Sequence, residues 1–458
     1  MKPIKIRTIG RLFYPSLRQS TLAAKALKQT RTKRNQGVHY RELGAMTMNT
    51  ILKKTVSVVA LLIMAACAAE EGEAKGSNSV ALPVGQGGGD SALQKNDEAD
   101  PAPTGALALN VETIADGLRQ PWCIAWLPDG TMLVTERQGA LRVVREGVLV
   151  EEPVAGVPDA WVDNQAGVFD ILPHPDFATN NVVFLAYAQG TKKANGLRVV
   201  RATFDGKALN DLEVIYDAKP LKDTSHHYGG KLAWGPDNKL YFTIGEGSKY
   251  KEKAQLADTS FGAVVRINED GSIPEDNPDF GVEGALPELF SKGHRNPQGL
   301  AFHPDGTLYE HEHGARGGDE INIIEPGKNY GWPLASYGID YNGSRITPFT
   351  ELEGTKQPFH YWTPSIAPSG LAVYEGDIFA DWQGDLLVGA LAGQALHRID
   401  LESGIIIGEE RYLVEEGERI RDVRVGPDGA IYVTTNVGNR SNLVTNIGKV
   451  LRLTPAAP

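Results

Sequence analysis

From about residue 106 onward, apolar residues come in short alternating runs closed by Gly, Pro, Asp or Asn, and no long stretch keeps a 3.6-residue period. One phrase recurs, a turn followed by a short strand. It stands at Leu127–Thr135 (LPDGTMLVT), Gly235–Thr243 (GPDNKLYFT), His303–Tyr309 (HPDGTLY) and Gly426–Thr434 (GPDGAIYVT). In each, Pro presets φ and Gly or Asn takes the left-handed position, so the phrase reads as a hairpin turn with a mechanism. Degenerate copies fill the gaps: His174–Phe177 (HPDF) ahead of Val182–Ala186, and Asp381–Asp385 (DWQGD) ahead of Leu386–Gly389. Six units share roughly 350 residues, about 59 each, which is room for four strands of five or six residues with their loops. The pattern predicts an all-β fold over 106–458: a six-bladed β-propeller with four-stranded antiparallel blades, whose radial closure protects the strand edges. A sandwich or a two-domain β protein is the competing arrangement. A propeller would place its ligands at the mouth of its central channel, on loops from several blades.

Upstream the pattern changes. From Met46 or Met48, the expected translation start, Lys53 and Lys54 precede a ten-residue apolar run, Thr55–Met64. That run is too short to span a bilayer and suits a signal peptide. It ends in Met64-Ala65-Ala66-Cys67, small residues before a Cys, which looks like a bacterial lipoprotein cleavage box with Cys67 as the lipidated N-terminus. An ordinary secretory signal with Cys67 incidental is the alternative. Residues 67–105, rich in Gly, Ala, Ser and acids with no aromatic, read as a flexible tether. The expected location is the periplasmic face of a bacterial membrane, the outer one favoured, or the soluble periplasm.

Charge sharpens this division. Residues 1–66 carry 13 Lys and Arg against Glu42 alone, a net +12, which leaves −23 on residues 67–458 for a chain total of −11. A basic head on an acidic body fits a processed extension, and the acidic total argues against a nucleic-acid binder. Two Cys cannot build a disulfide framework and are not spaced as a metal site; Cys123 reads as a buried bystander.

Four loop segments could carry chemistry. Ser225–Lys231 (SHHYGGK) offers His226 and His227, and a loop His titrating near neutrality is a natural general base. A surface His pair is the plainer alternative. Gly293–Ala301 (GHRNPQGLA) offers Arg295, a fork of donors for carboxylate or phosphate, and the Asn296 amide, unless Arg295 only props its loop. Glu312–Asn322 (EHGARGGDEIN), followed by Gly327–Pro333 (GKNYGWP), packs acids and glycines as a hard cation such as calcium requires, without matching an EF-hand. A Gly-rich turn with a solvated acidic face is its alternative. Strand alternation puts Arg419 and Arg421 on one side, facing a single anionic ligand or solvent. Together these imply a polyanionic ligand with a cation and a base nearby.

The same segments resemble the quinoprotein aldose sugar dehydrogenases and the related soluble glucose dehydrogenases. The likeness runs along most of 112–455 and is most specific at 294–300, 312–322, 329–333 and 419–423 (RIRDV). The resemblance implies a propeller that uses pyrroloquinoline quinone (PQQ) and calcium. It makes His227 the catalytic base and matches Gln165, Arg295, Asn296, Tyr341, Arg419 and Arg421 to quinone contacts. Glu320 and the backbone of Tyr330 match a calcium site, and the Gly314 and Ala315 carbonyls would hold the calcium that touches the quinone. PQQ carries three carboxylates, which accounts for several Arg, and calcium polarises the quinone carbonyl. The implied reaction is oxidation of an aldose at C1 to an aldonolactone, with electrons passed on to an external acceptor.

This chain departs from that family at one place. After Leu386–Leu391, where the family usually carries a Lys near the quinone, it reads Ala392-Gly393-Gln394; the missing cation should weaken affinity or alter reactivity, while the backbone of Leu391, Ala392 and Gly393 could still make contact. His226 stands where the glucose enzymes tend to have Asp. The other readings are a calcium-dependent lactonase on the same propeller and a propeller binding module that has lost the quinone.

Overall fold

The computed structural model describes residues 102–436 and 447–456. The basic head, the signal run, Cys67 and most of the tether lie outside the described residues. At the end of the tether segment, Arg411 donates its N–H to the Pro103 carbonyl (2.8 Å), and the Gly105 N–H donates to the Arg411 carbonyl (2.9 Å).

Each turn phrase links the innermost strand of a blade to the next one out. In the four full copies the Gly or Asn has positive φ, 83° at Gly130, 57° at Asn238, 93° at Gly306 and 77° at Gly429. The Asp carboxylate accepts the N–H two residues on, as Asp129 does from Thr131 (2.9 Å) and Asp305 from Thr307 (2.8 Å). Six four-stranded antiparallel sheets follow, so the chain is the six-bladed propeller that the spacing predicts. Blade one is Pro121–Trp126, Met132–Glu136, Ala140–Arg145 and Val148–Leu149; blade two is Val168–Pro173, Val182–Thr191, Ala194–Phe204 and Leu209–Asp217. Blade three is Leu232–Trp234, Leu240–Ile244, Ala263–Ile267 and Leu289–Lys292; blade four is Pro297–Phe302, Leu308–Glu312, Asp319–Ile323 and His360–Trp362. Blade five is Pro368–Val373, Leu386–Ala390, Ala395–Glu402 and Ile405–Tyr412. Blade six joins Arg419–Val425, Ile431–Asn436 and Ile447–Pro455 to the first strand of the chain, Leu109–Arg119. Pairing the first described strand with the last closes the ring.

The core lies between blades, where second and third strands bury both faces; Leu133, Phe184, Phe242, Val388 and Val433 are fully enclosed. Truncating such a residue to Ala costs roughly 2–5 kcal/mol, because the rigid ring of sheets cannot collapse into the gap. Polar ties hold the innermost strands. Lys231 donates to Asp422 (2.7 Å), Asp422 accepts the Ile124 N–H (3.0 Å), and Asp170 accepts the Leu232 N–H (2.9 Å) and lies 3.2 Å from Arg424. Blades one, two, three and six are thereby joined around the axis by groups that are largely buried.

Five of the six innermost strands carry a register shift near their start, between Pro121 and Cys123, Val168 and Ile171, Pro297 and Gly299, Ser369 and Leu371, and Ile420 and Asp422. An extra residue there is unpaired and re-aimed. These bulges sit at the end of the channel opposite the turn phrases. That end carries the chemistry.

Candidate active site

Loops entering the innermost strands surround a cavity of about 1440 Å³. Its charge is one-sided. Arg137, Arg295, Arg316, Arg345, Arg419 and Arg421 line it, and among the described residues no Asp or Glu does. Arg421 is the extra residue of the blade-six bulge, so its direction comes from the bulge as well as from alternation with Arg419. It donates to Ser369 Oγ (2.9 Å) and Gln298 Oε1 (3.2 Å), with its guanidinium over the Trp122 ring (5.1 Å). Burial, with Arg419 and Arg137 nearby, pulls its titration down to about 9. Arg419 donates to the Leu391 carbonyl (3.1 Å). Arg295 is held by the His313 carbonyl (3.0 Å) and by the Trp332 ring (5.2 Å), yet its buried Nε has no partner. Buried guanidinium groups gathered in a lining with no carboxylate among its described residues favour a multivalent anion between them.

His227 lines the same cavity. Its φ of 51° is left-handed, held because its N–H donates to Gln165 Oε1 (2.8 Å) and its carbonyl accepts from Lys222 (3.3 Å). Gly245 lies so close that a Cβ there would meet the His227 carbonyl oxygen at 2.5 Å. His227 Nδ1 lies 2.9 Å from Glu246 Oε1. Burial first, then Arg295 and Lys222, hold the imidazole well below its usual range, so it is neutral at physiological pH. Burial also lifts the Glu246 carboxyl to about 7, opposed by Arg295 and Lys222. With Glu246 ionised, Nδ1–H points to the carboxylate and the lone pair is on Nε2, the tautomer of a general base. His226 Nε2 meets Asn164 Nδ2 (2.8 Å) on the rim.

Of the sequence-predicted residues, Gln165, His227, Arg295, Asn296, Gly314, Ala315, Tyr341, Leu391, Ala392, Arg419 and Arg421 all line the cavity. Tyr341 stands on its rim at 70% exposure. The 391–393 turn meets it only in part. The N–H of Leu391 donates to the Ala367 carbonyl, and those of Ala392 and Gly393 to Ile366 (2.8 and 2.9 Å), so these donors are already engaged. Gly393, where an added Cβ would meet Ala390 and His397, does not line the cavity.

Gly314 and Ala315 sit in a carbonyl-rich loop. The space of a Gly314 Cβ is taken by the Gly317 and Gly318 carbonyls, and the Gly314 N–H donates to Asp319 (2.8 Å). Asp319 is fully buried and also accepts from Ser365 Oγ (2.6 Å) and the Ala367 N–H (2.7 Å), so this acid staples loops instead of facing solvent. Glu320 and Tyr330 lie outside the cavity. Glu320 is paired across the sheet with Glu312, and burial with that like charge holds its carboxyl well above its usual range. The Tyr330 ring stacks on His294 (4.7 Å) and its hydroxyl donates to the Ile323 carbonyl (2.6 Å).

Sequence reasoning passed over Glu246, Arg137 and Lys222. Arg137 is buried, donating to the Asn164 and Ala166 carbonyls and to Gln120. Glu246 had a readable signal: a carboxylate between two glycines just past the second strand of blade three, hence at the same mouth as His227. Arg137 directly follows the matching strand of blade one, but Lys222 had no such mark.

The sequence profile described as glucose/sorbosone dehydrogenase matches residues 118–453. Aldose sugar dehydrogenase YliI of Escherichia coli (strain K12) is 39% identical over 355 residues, covering 76% of this chain and 93% of that protein. Quinoprotein glucose dehydrogenase B of Acinetobacter calcoaceticus is 29% identical over 435 residues, 75% of this chain and 90% of that one. Among solved structures, the PQQ-bound form of aldose sugar dehydrogenase from Streptomyces coelicolor superposes with a TM-score of 0.61 at 27% identity, covering 77% of this chain and 100% of that one.

Proposed function

The chain belongs to the glucose/sorbosone dehydrogenase family and is an oxidoreductase acting on sugars, and from that premise we propose a PQQ- and calcium-dependent enzyme that oxidises aldoses at C1 to aldonolactones. The observation that carries this reading is the cavity in which six arginines, with no carboxylate among the described lining residues, face a neutral histidine. The partnerless Nε of Arg295 and the desolvated Arg421 fit a ligand with several carboxylates. PQQ, when bound, supplies the hydride acceptor.

The protein's own part is binding, orientation and proton transfer. Arg295, Arg419 and Arg421, with Arg137 beside them, hold the anionic ligand. Gln165 and Lys222 fix the His227 backbone, and Glu246 fixes its ring. Nε2 of His227 takes the proton of the sugar C1 hydroxyl, a step usually worth roughly 10²–10⁴ in rate. The Gly314 and Ala315 carbonyls would hold a calcium ion in the cavity, where a Lewis acid stabilises developing negative charge; Glu320 and the Tyr330 carbonyl would hold a second ion. An external acceptor then receives the electrons. The signal run and Cys67 support a lipid-tethered or soluble periplasmic enzyme.

The test is reconstitution: cofactor-free protein is titrated with PQQ with and without Ca²⁺, and dye reduction is followed on a panel of aldoses. Saturable, calcium-dependent turnover is expected. Absence of quinone binding would overturn the proposal, and lactone hydrolysis in its place would favour the lactonase.

A further inference from the structure

Beside the Arg295–Asn296 loop but outside the cavity, His294, Glu310 and Glu312 each offer one ligand atom within 4.8 Å of the others. All three are buried, at 0%, 0% and 3% exposure. Glu310 and Glu312 alternate on one strand of blade four and so share a face. The neighbouring strand sets Asn322 opposite Glu310 and Glu320 opposite Glu312, and His294 arrives on the crossover from blade three.

The charges here are unbalanced. Among the described residues, the only basic group within 4.0 Å of either carboxylate is His294, whose Nδ1 lies 3.0 Å from Glu312 and 3.8 Å from Glu310. Glu310 Oε1 has no hydrogen-bond partner, and neither has Oδ1 of Asn322, a side chain only 1% exposed. The Asn322 amide faces the carboxylates, with Nδ2 3.1 Å from Glu310 Oε2 and 3.5 Å from Glu312 Oε1. An oxygen left bare inside a protein is unfavourable, and two oxygens beside an imidazole are what a cation satisfies.

We propose that His294, Glu310 and Glu312 bind a divalent transition-metal ion of the zinc class, with the Asn322 amide turned to offer Oδ1, or a water, as fourth ligand. A ring nitrogen with a few oxygens in a dry pocket suits a small four-coordinate ion, whereas calcium takes six to eight oxygens. Ser291 Oγ, 2.8 Å from His294 Nε2, is the outer partner that orients such an imidazole. The ion has a structural consequence for the cavity. The second oxygen of Glu312 accepts the N–H groups of Arg295 and of Asn296 (3.2 Å), so fixing Glu312 fixes the loop that presents both residues.

The full chain, stripped with chelator and returned to excess Ca²⁺, is titrated with Co²⁺ as a coloured probe and then with Zn²⁺, beside Glu310→Gln and His294→Gln. The expected result is one tight equivalent of Co²⁺ with four-coordinate absorption, displaced by Zn²⁺ and not by Ca²⁺. Affinity falls by roughly 100-fold or more in either variant, since even outer-shell partners carry roughly 10- to 100-fold. These variants separate the site from other histidines, such as His226 and His227. No saturable Co²⁺ equivalent, equal affinity in a folded variant, or displacement by Ca²⁺ would each overturn the proposal. If both variants fail to fold, competition with Ca²⁺ and the metal-induced rise in thermal midpoint of the wild-type chain decide. None of these readings depends on sugar turnover.

Discussion

Substituting Glu246→Gln keeps shape and removes charge at the group that touches the His227 ring nitrogen Nδ1. Burial lifts the carboxyl from near 4.5 to about 7. At 1.36 kcal/mol per pH unit, ionising it inside the fold costs about 3 kcal/mol. The folded-state value is raised, so the folded protein holds this proton more tightly than the unfolded chain does. Stability from this group is therefore present below about 4.5, declines as pH rises to about 7, and is level above. Gln carries no such penalty, and the variant at pH 8 should be at least as stable as wild type. Activity moves the other way. Above about 7 the carboxylate accepts Nδ1–H and leaves Nε2 free, whereas below it the acid donates to Nδ1 and forces the proton onto Nε2, which disables the base. The kcat/KM of the wild type should thus rise with pH and level off above about 7, falling roughly tenfold per unit below. In Glu246→Gln the amide serves either tautomer, the limb near 7 disappears, and kcat drops by roughly 10²–10⁴. The assays are dye reduction by reconstituted enzyme across pH 5–9, thermal unfolding at pH 8 and quinone titration. A variant with wild-type kcat and the same limb would refute the tautomer argument, as would an activity loss matched by a loss of stability.

Three further outcomes are expected. His227→Ala should lower turnover by roughly 10²–10⁴ while changing the quinone dissociation constant little, because the ring supplies a base and not a charge; dye reduction and absorbance titration read the two separately. Ala392→Lys, at an exposed position on the cavity wall, should tighten quinone binding by roughly tenfold, about the effect of one charge-assisted hydrogen bond, with a stronger dependence on salt. Lys231→Met leaves buried Asp422 and Asp170 to share Arg424 and should cost up to about 3–5 kcal/mol, read as a lower thermal midpoint, with Asp422→Leu in the same chain restoring part of it.

The innermost-strand bulges explain where sequence reading stops. Alternation puts Arg419 and Arg421 on one side of a strand, and both do line the cavity, but the register shift at Arg421 and the stacking on Trp122 from blade one decide its direction. Likewise Asp319 reads as an acid in a Gly-rich loop and proves to be a fully buried staple between loops, because its partners Ser365 and Ala367 lie far along the chain. Gly393 belongs to a turn that fits the quinone pattern by position, yet it does not line the cavity, and a Cβ there would meet Ala390 and His397.

Local interactions made the blades legible. A Pro-Asp-Gly turn is specified by φ preferences and a carboxylate reaching two residues ahead, so four full copies and two degenerate ones were enough for the architecture. His227 and Arg295 were legible too, as residue types whose chemistry is intrinsic. Tertiary structure alone decided that Glu246 would hold the His227 ring, that Arg137 would join the arginines of blades four and six, and that His294, Glu310 and Glu312 would meet away from water. These pairings join positions up to hundreds of residues apart, and their properties come from burial: desolvation keeps the His227 imidazole neutral and makes Glu246 a carboxyl titrating near 7. No pattern along a chain records desolvation, because it depends on which neighbours the closed ring brings together.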